Sequence, residues 1–291
     1  MASNCSENVK NCVGFGIAYF SFLQYTVPIK NKRSIKHVKP TIARATHPLL
    51  CCMIQDRTPQ QMMASIANGL QSGAEAFGIQ LESLYREYRD EKTIREIFES
   101  CGGKPIYFTS YRGGESKGMT DEECVELLLL GARCGGTLAD VFGDLYCRNV
   151  DSEMTDDPIA IEKQKALIAT LHEMGCEVLM SAHFPHYYDE NAVIDFAKQQ
   201  QSRGVDVAKL VNHANGEDQL LESLGVCTRL KRSISIPYLY LVNGSNCRLL
   251  RFVGERLGNC LTLCVDRHHP YSAKAQPLLC AAKAVRDNMI L

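Results

Sequence analysis

The residue whose type and setting best suit chemistry is Lys209. It lies in Val205-Asp-Val-Ala-Lys-Leu-Val211, an apolar run of strand character. Side chains alternate along a strand, so Val207, Lys209 and Val211 share one face. A lysine on such a face is costly unless it is paired or neutral. Desolvation lowers an amine's pKa and makes it a nucleophile for carbonyl carbon. The competing reading is a strand-end lysine that carries its ammonium out to water. His183 ends a second apolar run, Val178-Leu-Met-Ser-Ala-His183. An imidazole at a strand end suits proton transfer near neutral pH, and equally a structural hydrogen bond. The loop Tyr111-Arg-Gly-Gly-Glu-Ser-Lys-Gly118 adds Arg112 as an anion binder and Glu115 as a carboxylate able to orient an imidazole. Arg251 and the stretch Ser272-Ala-Lys-Ala-Gln276 add a candidate carboxylate clamp. His183 and His186 are three apart, across Phe184-Pro185, which is not the helical spacing of zinc-binding histidines, so no metal is expected.

These residues are far apart in the chain, so the elements between them must bring them together. From Leu49 onward short apolar runs alternate with longer amphipathic stretches. Thr58 before Pro59 predicts a helix start, and Thr120-Asp-Glu-Glu123 is a capping box. Strands are expected near Leu49–Ile54, Ala76–Leu81, Ile106–Ser110, Ala139–Phe142, Glu177–Ser181, Val205–Val211, Ile236–Val242 and Leu261–Val265. Each is followed by a helical stretch, the last from about Gln276 to Arg286. Nearly continuous apolar strands imply burial on both faces. Eight strand–helix units predict a single α/β domain, a (β/α)8 TIM barrel, over 41–291, with an N-terminal extension over 1–40. In that fold the chemistry belongs at the C-terminal ends of the strands, where Lys209, His183 and the loops above would meet.

Composition narrows the partners. The 291 residues are 45% hydrophobic and 22% charged, and 32 Lys plus Arg against 33 Asp plus Glu leave a net charge of -1. That balance argues against nucleic acid or an anionic membrane surface and points to a small-molecule substrate. The 14 cysteines form no C-x-x-C pair, which predicts free buried thiols in a reducing, cytoplasmic setting. The apolar run Val13–Ile29 carries Ser, Gln, Tyr, Thr and Pro, and falls short of the roughly 20 clean residues of a spanning helix.

Together these pieces resemble type I 3-dehydroquinate dehydratase over about residues 48–291. Ser181-Ala-His183 matches the family's Ser-x-His after the fifth strand. Gly204-Val-Asp-Val-Ala-Lys209 is similar to its Gly-Ala-Asp-x-x-Lys strand. Asn243-Gly244, Arg251 and Gly258-Asn259 resemble its Met-Gly, Arg and Gly-Ser, and Ser272-Ala-Lys-Ala-Gln276 resembles its Ser-Ala-Pro-Gly-Gln loop. The resemblance implies a cofactor-free lyase, of the route to aromatic amino acids, acting on a cyclic hydroxy-keto acid. Lys209 would form an imine with the ketone. His183, oriented by Glu115, would act as general acid and base. Arg251, Ser272 and Gln276 would hold the carboxylate, and Arg112 and Gln80 would complete the substrate contacts. It leaves a homodimer open.

The departures from the pattern are specific. The family's Glu-x-Arg on the second strand, which contacts ring hydroxyls, is Gly78-Ile-Gln80 here. Its Arg before Glu-Gly-Gly is matched by Arg112 or Tyr111, with the spacing one residue short. Its Asp-x-Glu after the fourth strand aligns with Gly143-Asp-Leu145. Three other readings therefore stay open: a Schiff-base lyase or aldolase for another keto acid, a non-catalytic descendant, and a metal-dependent lyase through His183 and His186.

Overall fold

The computed structural model describes residues 39–245 and 247–289, so nearly all of the expected extension, with Val13–Ile29, lies outside the described residues. Val38–Leu291 forms one compact unit. Its strands are β1 Leu49–Ile54, β2 Ala76–Gln80, β3 Ile106–Thr109, β4 Leu138–Phe142, β5 Glu177–His183, β6 Val207–His213, β7 Tyr238–Asn243 and β8 Leu261–Cys264. The helices between and after them are α1 Pro59–Gln71, α2 Glu91–Glu99, α3 Asp121–Arg133, α4 Pro158–Glu173, α5 Glu190–Ser202, α6 Glu217–Ser233, α7 Arg248–Leu257 and α8 Leu279–Met289. The strands pair in the order β7-β6-β5-β4-β3-β2-β1-β8, and every pair is parallel. This is the (β/α)8 barrel that the strand–helix rhythm predicts.

Alternation sorts the strand residues into two apolar layers. Cys51, Met53, Leu179, Val207, Val211 and Leu239 pack inside the barrel. Cys52, Ile54, Met180, Ala208 and Leu210 face outward, into the layer beneath the helices. Each strand is buried on both sides, which is why β1 is apolar throughout. Helix starts follow local chemistry: Thr58 caps α1 ahead of Pro59, and Thr120 and Glu123 form both halves of the capping box of α3.

The seam between β7 and β8 is closed by a side chain. Asn259 Nδ2 donates to Tyr240 O at 2.9 Å, and its Oδ1 accepts from Tyr240 N at 2.8 Å. The amide thus copies a strand partner where only one backbone bridge, Tyr238 to Asn259, continues the ladder. At the N-terminal mouth Ile42, buried, plugs the interior, and Glu177 accepts from the backbone of Ile42 and Ala43 and from the Thr41 hydroxyl. The free cysteines Cys51, Cys52, Cys101, Cys227 and Cys264 are buried. Burial pushes the Cys52 and Cys101 thiols up to about 12, leaving them as packing groups. Among the described residues no helix is long and apolar enough to cross a membrane.

Two boundaries differ from the expected ones in a way that matters for the site. β5 runs on to His183, so the imidazole belongs to the strand and not to the loop after it. α8 begins at Leu279 and not at Gln276, because Val265 N bonds Pro277 O and Leu279 N bonds Val265 O. Gln276 is thereby left in the loop at the C-terminal mouth.

Candidate active site

Lys209 is the third residue of β6 and points into the barrel with Val207 and Val211. It does not reach water; its side chain is 5% exposed. Nor is it an unpaired, desolvated amine. Nζ lies 2.6 Å from Tyr111 Oη, 2.9 Å from Tyr107 Oη and 3.1 Å from Asp140 Oδ2. That is the donor pattern of an ammonium with three N–H groups satisfied. Tyr107 and Tyr111 in turn donate to Asp140 Oδ2, and Ser181 donates to Oδ1. Burial first, and then the Asp140 carboxylate, pushes both phenols well above their ordinary range, so they remain donors. β3, β4, β5 and β6 each contribute at least one group to this network.

His183 stands on the same inward face of β5 as Ser181, whose register partner is Lys209. Tyr111 bridges the two candidates: its hydroxyl meets Lys209, and its ring packs edge-on against the imidazole at 5.4 Å between centroids. The carboxylate that orients His183 is Glu153. Glu153 Oε2 is 2.8 Å from Nδ1 and accepts from the His183 backbone N–H at 2.9 Å. This leaves Nε2 as the ring nitrogen available to a substrate. Burial raises the Glu153 carboxyl, but the His183 contacts outweigh it and leave the group below its usual value. Glu153 has φ +47, the left-handed region unusual for a residue with a side chain, within the β4–α4 loop.

Four expected contacts go elsewhere. Glu115 does not orient His183; it pairs with Arg57 Nη1 at 2.6 Å. Arg112 is not free for an anion, because its fork is closed on Asp121 and Asp144, each at 2.7 Å, with the guanidinium over the Phe142 ring. Gln80 Oε1 accepts from Gln55 Nε2 at 2.8 Å, and Gln55 Oε1 holds Ala273 N at 2.9 Å. Ser272 Oγ accepts from His269 N and donates to His269 O, closing its own turn.

Arg251 behaves differently. It sits on α7 and is 7% exposed. Its Nη2 reaches only neutral oxygens, Asn243 Oδ1 at 3.0 Å and Val242 O at 3.4 Å, and its Nε has no partner. Burial pulls this guanidinium down from its ordinary value. Gln276, also buried, keeps Oε1 without a partner. A buried cation with no anion beside it among the described residues, and an unpaired amide oxygen, both at the rim beyond β7 and β8, are groups able to take a polar ligand. A cavity of about 510 Å³ opens next to His183, with Tyr111, Phe142, Val150 and Pro185 on its apolar side and Arg112, Asp144, Arg148, Asn149 and Glu153 as its polar lining. Among the described residues no three His, Cys, Asp or Glu side chains converge to hold a metal ion.

The model of the type I 3-dehydroquinase family matches residues 50–287, all but the two ends of the chain. The chain belongs to that family. Its fold is similar to the 3-dehydroquinate dehydratase of Geobacillus kaustophilus, at 16% identity and TM-score 0.72, covering 84% of this chain and 92% of that one. The type I enzyme of Clostridium difficile, determined with covalently modified comenic acid, matches at 17% identity and TM-score 0.70, over 84% and 92%. The Enterococcus faecalis enzyme matches at 16% and 0.67, over 84% and 95%. No curated protein matches the sequence significantly.

Gly143-Asp-Leu145 follows β4, whereas Asp140 lies inside the strand, beside Lys209, with Phe142 two residues on. Asp140 and Tyr107 were missed from sequence, although a charge or phenol inside an apolar strand is the same signal that marked Lys209. Glu153 had no such signal, because a loop side chain reaches His183 only through the fold.

Glu82 provides a pH prediction. It is buried beside Thr109, whose hydroxyl donates to its carboxylate at 2.8 Å and 3.0 Å. Burial, partly offset by those bonds, raises its pKa from 4.5 to about 7. The folded state then binds more protons than the unfolded state between about pH 4.5 and 7, so stability falls as pH rises through that window. Relative to Glu82→Gln, the parent should lose roughly 2.5 kcal/mol of unfolding free energy between pH 5 and pH 8. Urea midpoints of both proteins at the two pH values test this. Parallel curves would mean that Glu82 titrates as an ordinary surface carboxylate.

Proposed function

We propose that this protein is a Schiff-base hydro-lyase for a cyclic hydroxy-keto carboxylate, working by the reaction that converts 3-dehydroquinate to 3-dehydroshikimate. The observation that carries the reading is Lys209 inside the barrel on β6, with His183 beside it on β5 and Tyr111 touching both. Arg251 binds the substrate carboxylate, and Gln276 Oε1 accepts from a neighbouring hydroxyl. The Lys209 ammonium passes a proton through Tyr111 to Asp140 and becomes an amine. The amine attacks the ketone, Asp140 returns the proton through Tyr111 to the carbinolamine oxygen, and that oxygen leaves as water, giving a protonated imine. His183 Nε2 removes a proton from the adjacent carbon, and that electron pair moves to the imine nitrogen. The pair returns to expel the hydroxyl one carbon further on, which takes the proton from His183 and departs as water. Hydrolysis of the imine restores Lys209. Glu153 holds the imidazole through Nδ1 and so keeps Nε2 turned to the substrate. The imine is the electron sink, so the steps need no further group.

The test is intact-mass spectrometry after borohydride treatment with 3-dehydroquinate and a short panel of cyclic hydroxy-keto carboxylates. One reduced adduct is expected on the parent protein and none on Lys209→Ala. A parent that forms no adduct with any member of the panel, while folded by circular dichroism, would falsify the reading.

A further inference from the structure

The β4–α4 loop, residues 143–157, carries a side chain that the chemistry above does not use. Arg148 is exposed and lines the cavity beside His183, and its guanidinium makes no hydrogen bond or ion pair with any described residue. Its backbone, by contrast, is held on both sides. Cys147 N bonds Asp144 O at 3.2 Å, and Asn149 N bonds Asp144 Oδ2 at 2.9 Å. Tyr146 N bonds Asp121 Oδ2 at 2.8 Å, and Glu153 N bonds Asn149 O at 3.0 Å. Arg112 closes on both Asp121 and Asp144. The arginine expected from sequence to bind substrate is thus spent on the scaffold that presents another arginine. With the backbone held in advance, only the side chain is left to order when a ligand binds.

The other lining groups decide what chemistry suits this guanidinium. Asp144 and Glu153 stand in the same lining as Arg112 and Arg148, so the formal charges cancel. A second carboxylate or a phosphate on the substrate would meet no excess positive charge there. A hydroxyl is neutral, and it both accepts and donates. It can accept from Arg148 and donate to Glu153 Oε1, since Glu153 holds His183 through Oε2. β2 is poorly equipped for this work. Gly78 has no side chain, a Cβ there would meet the Met53 sulfur, and Gln80 Oε1 is taken by Gln55.

We propose that Arg148 is a specificity-determining residue of this site, donating its paired N–H groups to two neighbouring hydroxyls on the edge of the substrate remote from Arg251. This rests on the Lys209 imine reading and deepens it. The substrate is a cyclic keto carboxylate that bears a vicinal diol, held by Arg251 at its carboxylate and by Arg148 at its diol. The fork of a guanidinium matches two adjacent oxygens. A loop after β4 therefore supplies the guanidinium that β2 lacks.

The experiment measures borohydride trapping of the full chain by 3-dehydroquinate and by 1-hydroxy-3-oxocyclohexane-1-carboxylate, which keeps every reacting group and lacks the two neighbouring hydroxyls. Both compounds are used at equal low concentration on the parent, Arg148→Met and Arg148→Lys. The parent should be trapped faster by 3-dehydroquinate. In Arg148→Met that ratio should fall by about ten- to hundredfold, the worth of hydrogen bonds from a charged donor, with the loss falling on 3-dehydroquinate. Arg148→Lys keeps the charge without the fork and should lie between the two. No described side chain bonds Arg148, so both variants should keep the parent's thermal midpoint. A ratio unchanged in Arg148→Met, or an equal slowing with both compounds, overturns the inference and leaves the imine reading intact. A parent that prefers the compound without the diol does the same. No adduct from either compound on the parent overturns both.

Discussion

Asp140→Ala is expected to cost about 3–5 kcal/mol of stability and to abolish adduct formation. Breaking a buried ion pair by removing one partner leaves the other charge uncompensated. Here the loss is wider than one pair. Asp140 is 1% exposed and accepts from Tyr107, Tyr111 and Ser181 as well as from Lys209. Its removal strands three hydroxyl donors and an ammonium in the barrel interior. Removing Lys209 instead leaves the carboxylate with three O–H donors, so Lys209→Met should cost less, about 1–3 kcal/mol. The order of the two variants is the diagnostic quantity, read from urea unfolding at one pH. Equal costs would show that the phenols and Ser181 do not depend on Asp140. The second readout is the pH profile of trapping. Asp140 takes the proton that Lys209 must lose, so Asp140→Asn should shift the profile even if some activity survives. The groups near this pair that also titrate are Cys51 from β1, Glu82 from beyond β2, Glu153 from the β4–α4 loop and His183 from β5. A profile unchanged in Asp140→Asn would assign the limb to one of them.

Arg251→Met should separate stability from function in the opposite sense. The side chain is buried with no carboxylate beside it, and burial already disfavours its charge. In the unliganded protein an apolar side chain of similar length removes that desolvation cost and the unpaired Nε. Thermal stability should therefore hold or rise. Substrate binding should collapse, because the guanidinium proposed to hold the substrate carboxylate is lost. Truncating one member of a buried charge pair costs about 2–5 kcal/mol, or roughly thirty- to several-thousand-fold in kcat/KM. A variant that is less stable and still active would mean that the guanidinium is a packing group for α7 and β7. Stability–activity trade-offs of this form are common where a site is built for a ligand rather than for the fold.

The barrel was legible because its cause is local and repetitive. Apolar runs of strand length, caps such as Thr58 and Thr120, and the helical stretches between them place eight units without any long-range information. The same logic located Lys209 and His183, since alternation and the strand-end rule depend only on register within one strand. Burial of Arg251 and Gln276 at the mouth is in keeping with their positions after β7 and before α8.

Partner choice was not legible, and Glu115 shows why. By sequence it is as good a partner for an imidazole as Glu153, yet Arg57 captures it, while Glu153 reaches His183 from a loop in a left-handed backbone conformation. Arg112 is another case: a free guanidinium by sequence, a closed fork between Asp121 and Asp144 in the fold. Ionic and hydrogen-bonding contacts form between side chains many residues apart, and their pairing depends on ångström-scale placement that periodicity does not encode. Gly78 is a further case: it signals a missing side chain, and only the packed interior shows that Met53 occupies its space. Sequence alone determined the fold and the strand that carries the lysine, because those follow from local propensity and pattern. Tertiary structure decided which carboxylate meets which base and what fills the space above Gly78, because close packing and buried pairing are properties of the whole interior.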